Sequence, residues 1–320
     1  MVFSMNADLR ACLQDIPEFQ AWPEMATLFE RSGSRPRPDW ELPLVAGEAV
    51  GGDPACLVYG AAALACLQIS IILVDDILDS DPRGEHLKIG AGRAANLALG
   101  LQGAAAEVLA RAPVAPDVQA AAQRCLAHAA LKTALGQDLD ALGLTDEAGY
   151  WRIVEHKSTP FYAAGLELGA LLGGAAANTC AGLYTVGKLL GEIIQLNDDV
   201  VDAFQTPANP DWGQGRPNLL ILYARTAPHA ERDRFLTVWR QAAQDPTALA
   251  EAQQLLIRSG AVSYGVYHLV QRSQRAHAQL VELRLPKPDS LARRVGSLSP
   301  ALVKLLQEHG VPIGDLLVQS

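Results

Sequence analysis

One pattern restricts this chain more than any other. From Ala55 to Val74 nearly every residue is apolar, on all sides of any helix it could form, and the run ends in Asp75-Asp76-Ile77-Leu78-Asp79. A helix that is apolar all round must be enclosed by other parts of the chain. About 120 residues later a second apolar run ends in Gln195-Leu196-Asn197-Asp198-Asp199-Val200-Val201-Asp202. Each end is a D-D-x-x-D set. Three carboxylates within five residues repel one another, and apolar surroundings make that worse. On a helix, positions i and i+4 share a face and i+1 lies about 100° round. Asp75 and Asp79 therefore project together with Asp76 beside them, and Asp198 and Asp202 with Asp199 beside them. Gln195 stands one turn earlier on the second face. A divalent cation shared between the sets is the simplest physical reason to build this twice. Oxygen-only ligands suit Mg2+, which keeps several waters and is completed by substrate phosphates. One such set could be a capping or surface acidic cluster; two, each closing a long apolar helix, argue against that.

The rest of the chain supports an all-α fold. It is 49% hydrophobic but only 6% aromatic, and Ala and Leu are abundant, which favours close-packed helices over sheets. Residues 1–31 read as one or two amphipathic helices, and Trp40–Gly51 as a short one. Asp53-Pro54 fits a cap followed by proline at the first helical position, starting a central helix that runs to Asp79. Helices are expected at about Gly92–Ala112, Pro116–Leu142, Asp146–Gly173, Ala176–Phe204, Leu219–Thr226, His229–Gln244, Thr247–Ser259, Val262–Leu285 and Ala301–Glu308. No alternating run reads as a strand, and no linker divides residues 1–320, so a single domain is expected. The net charge of −9 offers no basic run for nucleic acid. The most apolar windows carry Gly, Gln or Glu and end in charges, so they read as buried helices and not membrane spans. Five scattered cysteines without a C-x-x-C pair fit a reducing compartment, and the absence of a signal pattern points to the cytoplasm.

Other polar groups are weaker signals. Ser32-Gly33-Ser34-Arg35-Pro36-Arg37-Pro38 is a breaker-rich loop whose arginines could bind an anion or only decorate a solvated turn. Lys157, before Ser158 and Thr159, could grip a diphosphate as a point charge or could snorkel. Gly213-Gln214-Gly215-Arg216 puts a cation on a loop after the second acidic set, and Gly136-Gln137-Asp138-Leu139-Asp140 interrupts an apolar helix. The histidines show no metal spacing, and no Walker loop, G-x-G-x-x-G or G-x-S-x-G occurs.

Over roughly Ser32 to Ala224 these residues together resemble the trans-isoprenyl diphosphate synthases (polyprenyl synthetases). The resemblance implies a single-domain bundle of about ten or more mostly antiparallel helices around a central cavity, where the two aspartate sets face each other. It implies three Mg2+ ions held by Asp75, Asp76, Asp79, Asp198, Asp199 and Asp202 against an allylic diphosphate. It implies that Arg83, Lys157 and Arg216 bind that diphosphate, with Arg216 where the family usually has Lys. Ser158 and Gln195 match polar residues beside the developing allylic cation, and Gly136-Gln137 matches the family's G-Q pair. Lys157, Gln195, Asp75 and Asp198 are then the candidate catalytic residues. A homodimer is implied on the same ground.

The departures bear on the acceptor, which in such enzymes is isopentenyl diphosphate. Arg35 is kept, but Ser34 replaces the lysine of the family's G-G-K-R-x-R-P loop, and Gln68 stands where a histidine usually completes the acceptor site. The family's R-R-G is shortened to Arg83-Gly84. Ser70 and Ile71, five and four positions before Asp75, match the cavity floor; neither is aromatic, and Leu67 is one turn deeper. A product of geranylgeranyl length or longer is expected. Two rivals stand beside this reading: a member with another acceptor (cyclase-like, or acting on a peptide or small molecule), which the weakened acceptor site motivates, and a regulatory subunit of a synthase, against which the six intact aspartates argue.

Overall fold

The computed structural model describes residues 2–143, 146–214, 218–296, 302–304 and 307. Among these residues there is helix and turn but no strand. In chain order the helices are α1 (Val2–Gln14), α2 (Pro17–Gln20), α3 (Pro23–Ser32), α4 (Leu42–Ala49), α5 (Pro54–Leu78), α6 (His86–Ile89), α7 (Ala91–Ala110), α8 (Pro116–Ala141) and α9 (Glu147–Ile153). A π-turn at Val154–Ser158 then leads to α10 (Thr159–Leu172), α11 (Ala177–Ala203), α12 (Asp211–Gln214), α13 (Leu219–Thr226), α14 (Arg232–Ala242), α15 (Pro246–Arg258), α16 (Ala261–Leu283) and α17 (Asp289–Gly296). Packing resolves two compact units that alternate along the sequence. One comprises Met1–Ala134, Pro160–Lys188 and Gln279–Ala292; the other comprises Leu135–Thr159, Leu189–Ala278 and Arg293–Ser320.

The first unit is built on α5. Asp53 accepts a hydrogen bond from the Ala55 amide at 2.9 Å, and Pro54 opens the helix. Leu57, Gly60 to Leu67, Ile69, Ser70 and Leu73 are buried, so both sides of the helix are enclosed, chiefly by α7, α4 and α1. Among the described residues α5 is the one helix long and apolar enough to cross a membrane, and 67% of its most apolar window is buried inside the protein. It ends in a Schellman turn: Asp81 N donates to Asp76 O at 3.0 Å and Ser80 N to Ile77 O at 3.3 Å, with Ser80 at φ 51°. α10 approaches α4 closely enough that a Cβ at Gly169 would overlap the Pro43 carbonyl, so glycine is required there.

The second unit packs α13, α14, α15 and the later part of α11 around Leu196, Val200, Trp212, Leu220, Phe235, Leu249 and Leu256. Asn218 caps α13, its side-chain oxygen accepting from the Leu220 and Ile221 amides.

The expected helices that fall on described residues are present, the short helices α6 and α12 were not expected, and three further differences stand out. Prolines 17 and 23 each start a new helix, so the N-terminal stretch has three helices instead of one or two. The expected helix over Asp146–Gly173 is broken by the π-turn carrying Lys157 and Ser158. α17 was hidden behind the Pro286–Pro288 stop, although Asp289 in its first turn and Arg293 and Arg294 in its last give it the charge order of a helix. Most of the helix expected at Ala301–Glu308 lies outside the described residues.

Candidate active site

In the first unit, Asp75, Asp76 and Asp79 sit on the last turn of α5 and its cap, all half-buried. Burial, then Asp81 and Asp75, push the Asp76 carboxyl up, partly offset by His86 and Arg83. The Schellman turn brings Asp81 back towards this end, where it takes Arg83 in a fork: Nη2 to Oδ2 at 2.8 Å and Nε to Oδ1 at 3.1 Å. Arg83 is otherwise open to solvent, its side chain 88% exposed. It is therefore oriented by a fourth carboxylate that the D-D-x-x-D pattern does not include.

Gln68 lies two turns before Asp75 on α5. Its Oε1 accepts from the indole N–H of fully buried Trp40 at 2.6 Å, and its Nε2 lies 3.5 Å from Asp39 Oδ2. Trp40 stacks on Phe29 with centroids 5.4 Å apart. In the loop expected to meet the acceptor, Arg35 is exposed, Arg37 Nε donates to the Ser32 carbonyl at 2.8 Å, and Ser34 Oγ donates to the Arg31 carbonyl at 2.7 Å. Ser70 and Leu67 are buried, with Ser70 Oγ donating to the Leu67 carbonyl at 2.8 Å; Ile71 is half-buried.

In the second unit a chain of hydrogen bonds joins the π-turn to α11 and α13. Ser158 Oγ donates to Gln195 Oε1 at 2.6 Å, and Gln195 Nε2 donates to Asp199 Oδ1 at 2.8 Å. Tyr150 Oη and the Leu219 amide both donate to Asp199 Oδ2, at 2.7 and 2.8 Å. Gln195 is thereby oriented at both ends. Lys157 Nζ pairs with Asp140 Oδ2 at 2.5 Å. Asn218 Nδ2 donates to the Asp199 carbonyl at 2.8 Å and ties the end of α11 to the start of α13.

The three aspartates of the second set are not equivalent. Asp199 is 2% exposed and accepts three protein hydrogen bonds. Burial pushes its carboxyl up to about 7 against the pull of those donors. Its oxygens are engaged by Tyr150, Gln195 and Leu219. Asp198 is exposed, and Asp202 is half-buried, raised to about 6 by burial and by Asp198. Among the described residues no three His, Cys, Asp or Glu side chains converge as a ready-made metal centre. Arg216 lies outside the described residues.

Sequence reasoning missed Tyr150, Asn218, Asp81 and the Trp40–Asp39 pair around Gln68. Tyr150 and Asn218 lie 49 and 19 residues from the aspartate they hold, and no local pattern marks them. Asp81 could have been read from its place two residues before Arg83.

The polyprenyl synthetase family model matches residues 25–256. The chain belongs to the polyprenyl synthetase family. It is 28% identical over 281 residues to a short chain isoprenyl diphosphate synthase of Methanothermobacter thermautotrophicus, covering 82% of this chain and 85% of that one. It is 30% identical to a geranylgeranyl diphosphate synthase of Methanosarcina mazei over 55% of this chain and 56% of that one. The fold is shared with a polyprenyl synthetase from Streptomyces coelicolor A3(2), with TM-score 0.77, 20% identity and coverage of 95% and 97%. It is also shared with a geranylgeranyl pyrophosphate synthetase from Pyrococcus horikoshii, with TM-score 0.76, 20% identity and coverage of 99% and 95%. As a member of this polyprenyl synthetase family the protein is a prenyltransferase of all-α isoprenoid synthase fold. Neither a different acceptor nor a purely regulatory role is favoured by these relatives.

Proposed function

We propose that the protein, acting as one domain and as a homodimer in the cytoplasm, ionises an allylic diphosphate with Mg2+ and condenses it with isopentenyl diphosphate. The observation that carries the reading is the division of labour in the second aspartate set. Asp199 is engaged in fixing Gln195 and α13, while Asp198, which accepts from the neighbouring Asn197 side-chain amide at 3.2 Å, is exposed and Asp202 lies one helical turn on, raised by burial and by Asp198. Two crowded carboxylates with oxygen ligands only are a fit for Mg2+, which takes one or two of them and fills its shell with water and phosphate oxygens. Asp75 and Asp79 have the same relation on the first set. Mg2+, when bound, neutralises charge on the leaving diphosphate.

The chain's own groups do the rest. Lys157 and Arg83 bind diphosphate oxygens, with Arg216 in the same role. The allylic carbon–oxygen bond then breaks and its electron pair leaves with the diphosphate. Ser158 and Gln195, held to each other, face the allylic cation with fixed dipoles that need no reorganisation. The double bond of isopentenyl diphosphate attacks the cation, and a proton passes to the departed diphosphate. Arg35 and Gln68 serve the acceptor.

Ser70, Ile71 and Leu67 support a product of geranylgeranyl length or longer, because none is aromatic; Ser70→Phe is expected to shorten it, and an unchanged product would remove them from length control. Exposed leucines on α7 and α8, Leu99, Leu131 and Leu135, support the dimer; sedimentation as a monomer at micromolar concentration would exclude it.

The deciding assay is incubation with an allylic diphosphate, labelled isopentenyl diphosphate and Mg2+. Chain elongation is expected, lost on chelation and reduced at least 100-fold in Asp75→Ala and Asp198→Ala. Diphosphate release without elongation would overturn the choice of acceptor.

A further inference from the structure

The last two turns of α8 carry Gly136, Gln137 and Asp140, and they meet the π-turn that holds Lys157. Gly136 is buried there. A Cβ at this position would overlap the amide nitrogen of Lys157, the carbonyl carbon of His156 and the Cα of Lys157, all inside the 3.0 Å that real Cβ atoms do not violate. These are backbone atoms, so nothing can rotate aside. Glycine inside a helix is less favourable than alanine, and α8 accepts that disadvantage where it touches the π-turn. One turn further on, Asp140 takes the Lys157 ammonium at 2.5 Å, with the two side chains 11% and 24% exposed. A lysine has a flexible four-carbon stem. Here its backbone end is fixed by the close approach of Gly136 and its charged end by Asp140.

We propose that Gly136 and Asp140 are positioning residues which together seat Lys157 for the leaving diphosphate. The proposal rests on the reading of Lys157 as a diphosphate ligand. An ion pair that only closed the helix ends would make Asp140 indifferent to substrate. A seat makes its loss appear in substrate affinity, and only while the lysine is present.

The test is a double-mutant cycle on the full chain: Lys157→Ala, Asp140→Ala and the pair, with Asp140→Glu as the conservative rescue. It reads kcat and the KM for the allylic diphosphate, with helicity and melting temperature as folding controls. Lys157→Ala is expected to raise KM about tenfold or more. Asp140→Ala is expected to raise KM about tenfold with a smaller change in kcat, to be partly reversed in Asp140→Glu, and to add less than about twofold in the Lys157→Ala background. Gly136→Ala is expected to lower kcat/KM on the order of 100-fold with helicity kept, since small misplacements of a positioned group are that costly. If Gly136→Ala does not fold, the Asp140 cycle decides alone. An Asp140→Ala loss of equal factor with and without Lys157 would overturn the seat while leaving Lys157 in its role. An unchanged KM in Lys157→Ala would overturn the role of the lysine itself, and the seat with it.

Discussion

Replacing Tyr150 by Phe removes one oxygen and little else. The ring is 1% exposed and packs edge-on against Trp151 with centroids 4.9 Å apart, a contact Phe retains. What is lost is the 2.7 Å hydrogen bond to Asp199. A hydrogen bond to a charged group contributes roughly 1.5–3 kcal/mol. Asp199 keeps two other donors, Gln195 Nε2 and the Leu219 amide, each at 2.8 Å. The change therefore falls short of orphaning a buried charge, which costs roughly 3–5 kcal/mol. A loss of about 2 kcal/mol is expected. The measurement is urea unfolding at pH 8 with a chelator present, so that no cation supports the site. At that pH Asp199, raised by burial to about 7, is ionised. Burial first, and Asp199 second, push the Tyr150 phenol well above its usual range, so it remains a donor. The same loss is measured beside Asp199→Asn and in the double variant, where coupling of at least about 1 kcal/mol is expected. A cost below about 0.5 kcal/mol, or strict additivity, would mean that the phenol does not hold the carboxylate.

Three further substitutions probe other parts of the argument. Ser34→Lys restores a cation to the acceptor loop at the loss of one hydrogen bond to the Arg31 carbonyl; one cation on a diphosphate is worth roughly 1–3 kcal/mol, so KM for isopentenyl diphosphate should fall about 5- to 150-fold, and an unchanged KM would separate this loop from the acceptor. Asn218→Ala removes the α13 cap and the bond to the Asp199 carbonyl from a site that is 1% exposed; thermal and urea unfolding should show a loss of about 2–4 kcal/mol, and a loss under 1 would contradict its role as a hub. Ser80→Gly relieves a left-handed residue at φ 51° and should stabilise the protein by about 0.5–1 kcal/mol in urea unfolding, whereas destabilisation would mean that the serine contributes something its backbone does not reveal.

Much of the architecture was legible in the residues. The apolar run before Asp75 required an enclosed helix, and α5 is one, starting at the Asp53-Pro54 cap where the pattern put it. The stop at Pro286–Pro288 after α16 was readable for the same reason: these residues act on their own backbone and need no partner from elsewhere. The π-turn was not readable. Nothing in Val154-Glu155-His156-Lys157-Ser158 forbids ordinary helix, and the turn lies where Gly136 presses on Lys157.

Residue spacing alone showed that six carboxylates close two long apolar helices and that the regular structure is helical. It presented the members of each set as equivalents, because spacing on a helix says only which side chains share a face. Packing sets which of them is withdrawn from solvent: Asp199 is buried under Tyr150 and the start of α13, while Asp198 stays exposed. Desolvation depends on what is packed overhead, and those groups arrive from parts of the chain that no local pattern connects to the aspartates they surround.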